Sequence, residues 1–164
     1  MALLNSTTRY GWPAWVMHWT SVVVIALLYI GISGIDRPPK SALRLEILST
    51  HTSLGILMLG LMLARLVWRV TNANPVKAYS LRPLHKLVAI SVHRCLYVLV
   101  ITMALTGVLG HLELPGFSLE TTARRSLLAL HAAITGPLLL LATVHIIAAV
   151  INLVVALPAS QGER

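Results

Sequence analysis

Four long apolar runs, separated by short polar gaps, decide most of what this chain is able to fold into. A helix needs about 20 mostly apolar residues to cross the roughly 30 Å hydrocarbon core of a bilayer. Residues 13–35, 45–70, 83–110 and 123–157 each meet that length. The 164 residues are 57% hydrophobic and only 11% charged, whereas about a quarter of a soluble domain is charged. That much apolar surface calls for lipid as the solvent. The expected fold is therefore an all-α membrane protein, a four-helix transmembrane bundle forming one domain over residues 1–164. Pro13 suits the first turn of a helix, where a missing N–H costs nothing. Pro137 is expected to kink the fourth helix and Pro158 to stop it. The first run is too long for the apolar part of a signal peptide and no small-residue cleavage site follows it, so it is expected to stay as a span.

The net charge of +8 does not read as a nucleic-acid surface, because the basic residues fall in the gaps between apolar runs. There they set orientation. One side of the membrane would hold Arg9, Arg65, Arg69, Lys77, Arg82, Lys86, Arg94 and Arg164, and the other Arg37, Lys40, Arg44, Arg124 and Arg125. This asymmetry predicts both termini in the cytoplasm. Trp12, Trp15, Trp19 and Trp68 would form an anchoring belt on that same side. Cys95 is the only cysteine and lies within an apolar run, so it is expected to act as a small buried hydrophobe.

Several of the seven histidines lie inside the apolar runs, where polar groups are costly and mark function. His131 and His145 on the fourth run are 14 residues apart, about 21 Å along a helix and within roughly 40° of one face. One helix thus offers an imidazole near each membrane surface, both towards the bundle interior. His18 enters the first run from the cytoplasmic side and His51 enters the second from the outer side. Depth therefore pairs His18 with His145 and His51 with His131. Two haems stacked along the bundle, each held by two axial histidines, would use all four side chains. Iron so ligated has no open position and transfers electrons rather than binding oxygen. Structural zinc would want four ligands around one point, and a metal transporter would want carboxylates inside the spans. Asp36, Glu46, Glu113, Glu120 and Glu163 all fall in loops, helix ends or the tail.

The remaining candidates are open to more than one reading. His85 and His111 sit at the two ends of the third run and are expected to be interfacial. His93 lies about 15 Å into that run and is the main rival for an axial role; otherwise it would bond a haem propionate, a quinone or a neighbouring helix. Arg65 follows His51 by 14 residues and would serve either haem propionates or lipid phosphates. Arg124 and Arg125, two turns before His131, would cap propionates or steer an anionic donor. Gly55, one turn after His51, would give either a porphyrin or a neighbouring helix room to approach.

The ordered set of these segments resembles the bacterial cytochrome b561 family of di-haem membrane proteins, over nearly the whole chain. The resemblance rests on Trp15-Val16-Met17-His18-Trp19, and on His51-Thr52-Ser53-Leu54-Gly55 leading to Arg65-Leu66-Val67-Trp68-Arg69. It continues with His93-Arg94-Cys95-Leu96-Tyr97 and Leu105-Thr106-Gly107, and ends on His131 and His145. It implies two non-covalently held b haems, axial roles for His18, His51, His131 and His145, none for His93, and electron exchange with membrane quinone such as ubiquinone. Similar proteins often carry a further pair of histidines soon after the last ligand. Here residues 146–156 are apolar apart from Asn152, so the quinone or propionate contacts on that side are expected to differ.

The function expected from the sequence is a di-haem b-type cytochrome moving electrons across the membrane, to or from the quinone pool. Its partners would be membrane lipid, quinone and a periplasmic electron donor, with superoxide as one anionic candidate. Two other readings stay open: a haem-bearing anchor for a separate periplasmic dehydrogenase, and a histidine-lined metal transporter. No nucleophile, acid–base pair or nucleotide loop points to a conventional active site.

Overall fold

The computed structural model describes residues 3–6, 9–33, 42–73, 83–111 and 119–159, and of 83–85 and 155–159 the backbone alone. Asp36, Arg37, Lys40, Lys77, Arg82, Glu113, Glu163 and Arg164, all weighed above, lie outside the described residues. So does the His85 side chain.

Four helices are present: α1 Trp12–Ser33, α2 Ala42–Thr71, α3 Pro83–His111 and α4 Thr121–Ala159. All four are long and apolar enough to cross a membrane, and the described residues contain no strand. Each coincides with an expected run to within three residues at its described ends. The fourth helix continues through Gly136-Pro137 and past Pro158 to Ala159. Proline affects the turn before it, so at a helix end it frays the last turn rather than setting a sharp limit.

Helices adjacent in sequence pack side by side, α1 on α2, α2 on α3 and α3 on α4, with α3 and α4 the most extensively joined. No Cα of α1 or α2 comes within 8 Å of one in α4 among the described residues. The bundle is thus an arc, closed between its outer members by side chains alone. Its small core is Val24 of α1, Met58 and Met62 of α2, Val100 and Ala104 of α3, and Ile134 and Leu138 of α4. Exposed Leu, Ile and Val side chains cover the outside, as expected where the surroundings are as apolar as the core. Through 146–154 every side chain of α4 is exposed.

The buried polar groups follow the same logic. Lipid offers a hydroxyl no partner, so it must find one in the protein. Ser21 Oγ donates to the Met17 carbonyl at 2.7 Å and Thr106 Oγ1 to the Thr102 carbonyl at 2.8 Å. Cys95 departs from expectation: it is exposed on the outer face of α3. In a membrane bundle an apolar run faces lipid as readily as core, so hydropathy alone does not bury a residue.

Candidate functional site: two imidazole pairs across the bundle

The 14-residue spacing of His131 and His145 puts both rings on the inner side of α4, and each meets an imidazole from another helix. The rings of His18 and His145 have centroids 6.4 Å apart and planes at 82°. Those of His51 and His131 are 6.1 Å apart at 84°. The helices that supply these pairs make no close backbone approach to one another, so the histidines reach across the gaps in the arc. The pairing is the one that depth along the helices dictated.

The geometry suits a metal held between two rings. A histidine–metal bond of about 2 Å, with the ring centre roughly 1.1 Å beyond the nitrogen, puts two such centroids roughly 6.3 Å apart. Both observed separations lie close to this. No three of the described His, Cys, Asp and Glu side chains gather round one point in the manner of a structural zinc centre.

The His51–His131 pair lines a largely apolar cleft of about 1180 Å³, its open mouth included. His131 is held from α3. Its Nδ1 donates to the Met103 carbonyl at 2.7 Å, and since a carbonyl only accepts, Nε2 keeps a bare lone pair. Gly107 lies against the same ring: a Cβ there would come 2.8 Å from His131 Cε1 and 2.9 Å from Nδ1. Across the cleft, His51 Nδ1 is buried with no hydrogen-bond partner among the described residues. Native interiors seldom leave a buried nitrogen so, which marks His51 as a side chain kept for something other than packing. Gly55 lines this cleft too. A Cβ there would meet nothing within 4 Å, so close approach of a neighbouring helix does not account for it.

At the His18–His145 pair, Arg65 turns inward rather than out to lipid. Its Nη2 donates to His18 Nδ1 at 3.2 Å, and its guanidinium carbon lies 5.7 Å from the Tyr97 ring centre. Arg69 approaches the same ring to 5.4 Å. Because a guanidinium only donates, this contact leaves the His18 proton on Nε2. His93 adds a third imidazole, perpendicular to His145 with centroids 4.8 Å apart. Its Nδ1 donates to the Ala89 carbonyl at 2.6 Å.

His111, exposed at the end of α3, also lines the His51–His131 cleft, and its Nδ1 donates to the Gly107 carbonyl at 3.0 Å. Arg124 and Arg125, near the start of α4, are not among the residues that line that cleft. Sequence reasoning placed His111 only at the end of its run, did not single out Met103, and gave Gly107 no role of its own. The available signal was their spacing of four residues, which stacks Met103, Gly107 and His111 on one face of α3.

The comparisons identify the family. The family model described as prokaryotic cytochrome b561 matches residues 9–159. Among curated proteins, cytochrome b561 homolog 2 of Escherichia coli (strain K12) is 26% identical over 110 residues, which is 66% of this chain and 58% of that protein. The match thus spans a little over half of that relative's length. No solved structure matches the chain significantly. Since the family match runs through all four helices and takes in both histidine pairs, this chain belongs to the prokaryotic cytochrome b561 family.

Proposed function

We propose that the protein is a di-haem b-type cytochrome that carries electrons across the membrane and exchanges them with the quinone pool. In this reading His18 and His145 hold one haem and His51 and His131 the other. The observation that carries it is the pair of perpendicular imidazole contacts, at 6.4 Å and 6.1 Å, between helices whose backbones make no close approach. A b haem between two imidazoles supplies a one-electron centre with no free coordination position.

The chain's own residues prepare the site. The Met103 carbonyl fixes the tautomer of His131, so that Nε2 is free to ligate, the usual arrangement around a metal-binding histidine. Gly55 supplies room in the cleft beside His51. Arg65 brings a guanidinium to the other pair, suited to a propionate carboxylate. Pairing with a carboxylate would draw it off His18 Nδ1 and let the proton return there. In this reading the separation along α4 of about 21 Å would set one centre towards each membrane surface, which suits passage of charge across most of the bilayer.

The test is haem content by the pyridine haemochrome method, combined with low-temperature spectra of the ferric protein. Wild type should hold two b haems per chain. His18→Ala and His145→Ala should each remove the same one, and His51→Ala and His131→Ala the other. Matching losses for His18→Ala and His131→Ala would refute the pairing, and protein free of haem after haem-replete expression would refute the reading as a whole.

A further inference from the structure

Helix α3 contributes no member of either imidazole pair, yet it touches both rings that α4 contributes. Fourteen residues separate His93 from Gly107 on α3, and fourteen separate His131 from His145 on α4. Because the two helices run in opposite directions, this common spacing sets Gly107 level with His131 and His93 level with His145. The distances agree: a Cβ on Gly107 would fall 2.8 Å from the His131 ring, and the His93 and His145 centroids are 4.8 Å apart. The spacing is that of two surfaces of the bundle, repeated on a helix with no ligand of its own.

We propose that α3 is the helix that orients both α4 imidazoles, and that His93 is the positioning residue for His145, as Gly107 and the Met103 carbonyl are for His131. The proposal rests on the two-haem reading above and deepens it.

The two devices differ in kind. At His131 the backbone does the work: the Met103 carbonyl takes the Nδ1 proton, and the bare Cα of Gly107 lets α3 lie flat against the ring. Any side chain at 107 would push the ring off its plane. At His145 a side chain does it. His93 bonds back to the Ala89 carbonyl one turn earlier, which fixes its own rotamer and tautomer. So fixed, it stands at 84° to the His145 ring and closes off rotation of that ring towards α3. His145 in turn stands at 82° to His18, so His93, packed against His145, sets the angle between the two facing imidazoles. That angle matters electronically. Perpendicular imidazoles leave the iron d orbitals nearly degenerate and give ferric haem a single large-g resonance, whereas coplanar ones give a resolved rhombic spectrum.

The experiment uses the purified holoprotein in lipid nanodiscs and reads haem stoichiometry, the ferric electron paramagnetic resonance spectrum and the midpoint potential of each haem. Wild type should show two large-g signals. His93→Ala should keep two haems per chain while one signal moves towards the rhombic form, that of the haem lost in His145→Ala. Gly107→Ala should move the other signal only. His93→Phe keeps a ring beside His145 but loses the bond to the Ala89 carbonyl that fixes it, and should restore the wild-type signal only in part. His93 is exposed, so its variants carry the test should Gly107→Ala fail to accumulate. Loss of a whole haem in His93→Ala would make His93 a ligand and overturn the proposal. Unchanged spectra and potentials in His93→Ala, or an equal shift of both signals, would overturn it too. Absence of haem from wild type would instead bring down the two-haem reading, and this proposal with it.

Discussion

Gly55 and Gly107 are both small residues beside the His51–His131 cleft, but their surroundings are opposite. At Gly107 an added methyl collides with a ring; at Gly55 it meets nothing within 4 Å. Gly55→Leu should therefore leave the helices where they are and fill the cleft instead. The expected outcome is a haem-to-protein ratio falling from two to one, with helical content by circular dichroism unchanged and the His18–His145 signal intact. Arg65 poses the complementary case at the other pair. Losing a charge-assisted hydrogen bond costs about 1.5–3 kcal/mol, so Arg65→Ala should weaken haem retention at that site by roughly ten-fold to a hundred-fold. Arg65→Lys should recover only part, since an ammonium lacks the two-pronged fork. Competition with apomyoglobin, following the rate of haem transfer, separates these outcomes; a transfer rate equal to wild type in Arg65→Ala would refute the propionate role.

At the scale of the elements, the segment before α1 is tied to the end of α2. Asn5 Nδ2 donates to the Ala73 carbonyl at 2.9 Å, and Asn5 Oδ1 accepts from Gly11 N at 2.8 Å and from Trp68 Nε1 at 3.4 Å. Gly11 is buried, and a Cβ there would collide with the Leu3 carbonyl oxygen. That atom is backbone and cannot step aside cheaply. Asn5→Ala, which removes three bonds at once, should cost about 1–3 kcal/mol, and Gly11→Ala should undock the segment. Both should appear as faster hydrogen exchange at residues 3–11 and around Trp68, with the haem spectra unaffected. Unaltered exchange would mean that the tie carries no weight. Trp68 thus has a hydrogen-bonded task beyond anchoring in the interface. The far end of α4 is different again. Thirty-nine residues span about 58 Å, more than the roughly 45 Å of a bilayer with its headgroups.

For the whole molecule, the arc of helices explains how a bundle with so small a core holds its shape. Sequential neighbours pack in pairs, and contact across the bundle is left to side chains, the small shared core and the two imidazole pairs, so bound haem should act as the missing mortar. Anything that binds only the folded state stabilises it by mass action. The haem-loaded protein should accordingly melt well above a haem-depleted preparation in the same detergent, and equal melting temperatures would contradict this account. Orientation belongs to this scale too. The basic asymmetry favours both termini in the cytoplasm, and a C-terminal reporter active only in the periplasm would refute it. With the quinone pool as partner, reduced haem should reoxidise when a soluble quinone is added, and haem that stays reduced would remove quinone from the proposal.

The sequence by itself determined the membrane, the four spans and the depth at which each histidine lies. These follow from one-dimensional quantities: the length of an apolar run, the rise per residue, and the direction in which each helix crosses. Depth was enough to match His18 with His145 and His51 with His131, because a membrane helix leaves little freedom along its axis. Rotation about that axis is a different matter. In lipid the outside of a helix is as apolar as the inside, so hydropathy says nothing of which face turns inward. Cys95 was expected inside and lies outside for that reason. The four-residue spacing of Met103, Gly107 and His111 marks one face of α3, but which way that face turns was settled only once α3 packed against α4. Only the tertiary structure decided that Arg65 turns in towards His18, that Gly55 opens on a cleft and not on a helix, and that His93 stands against His145. Each is a question of azimuth, settled by how neighbouring helices interlock.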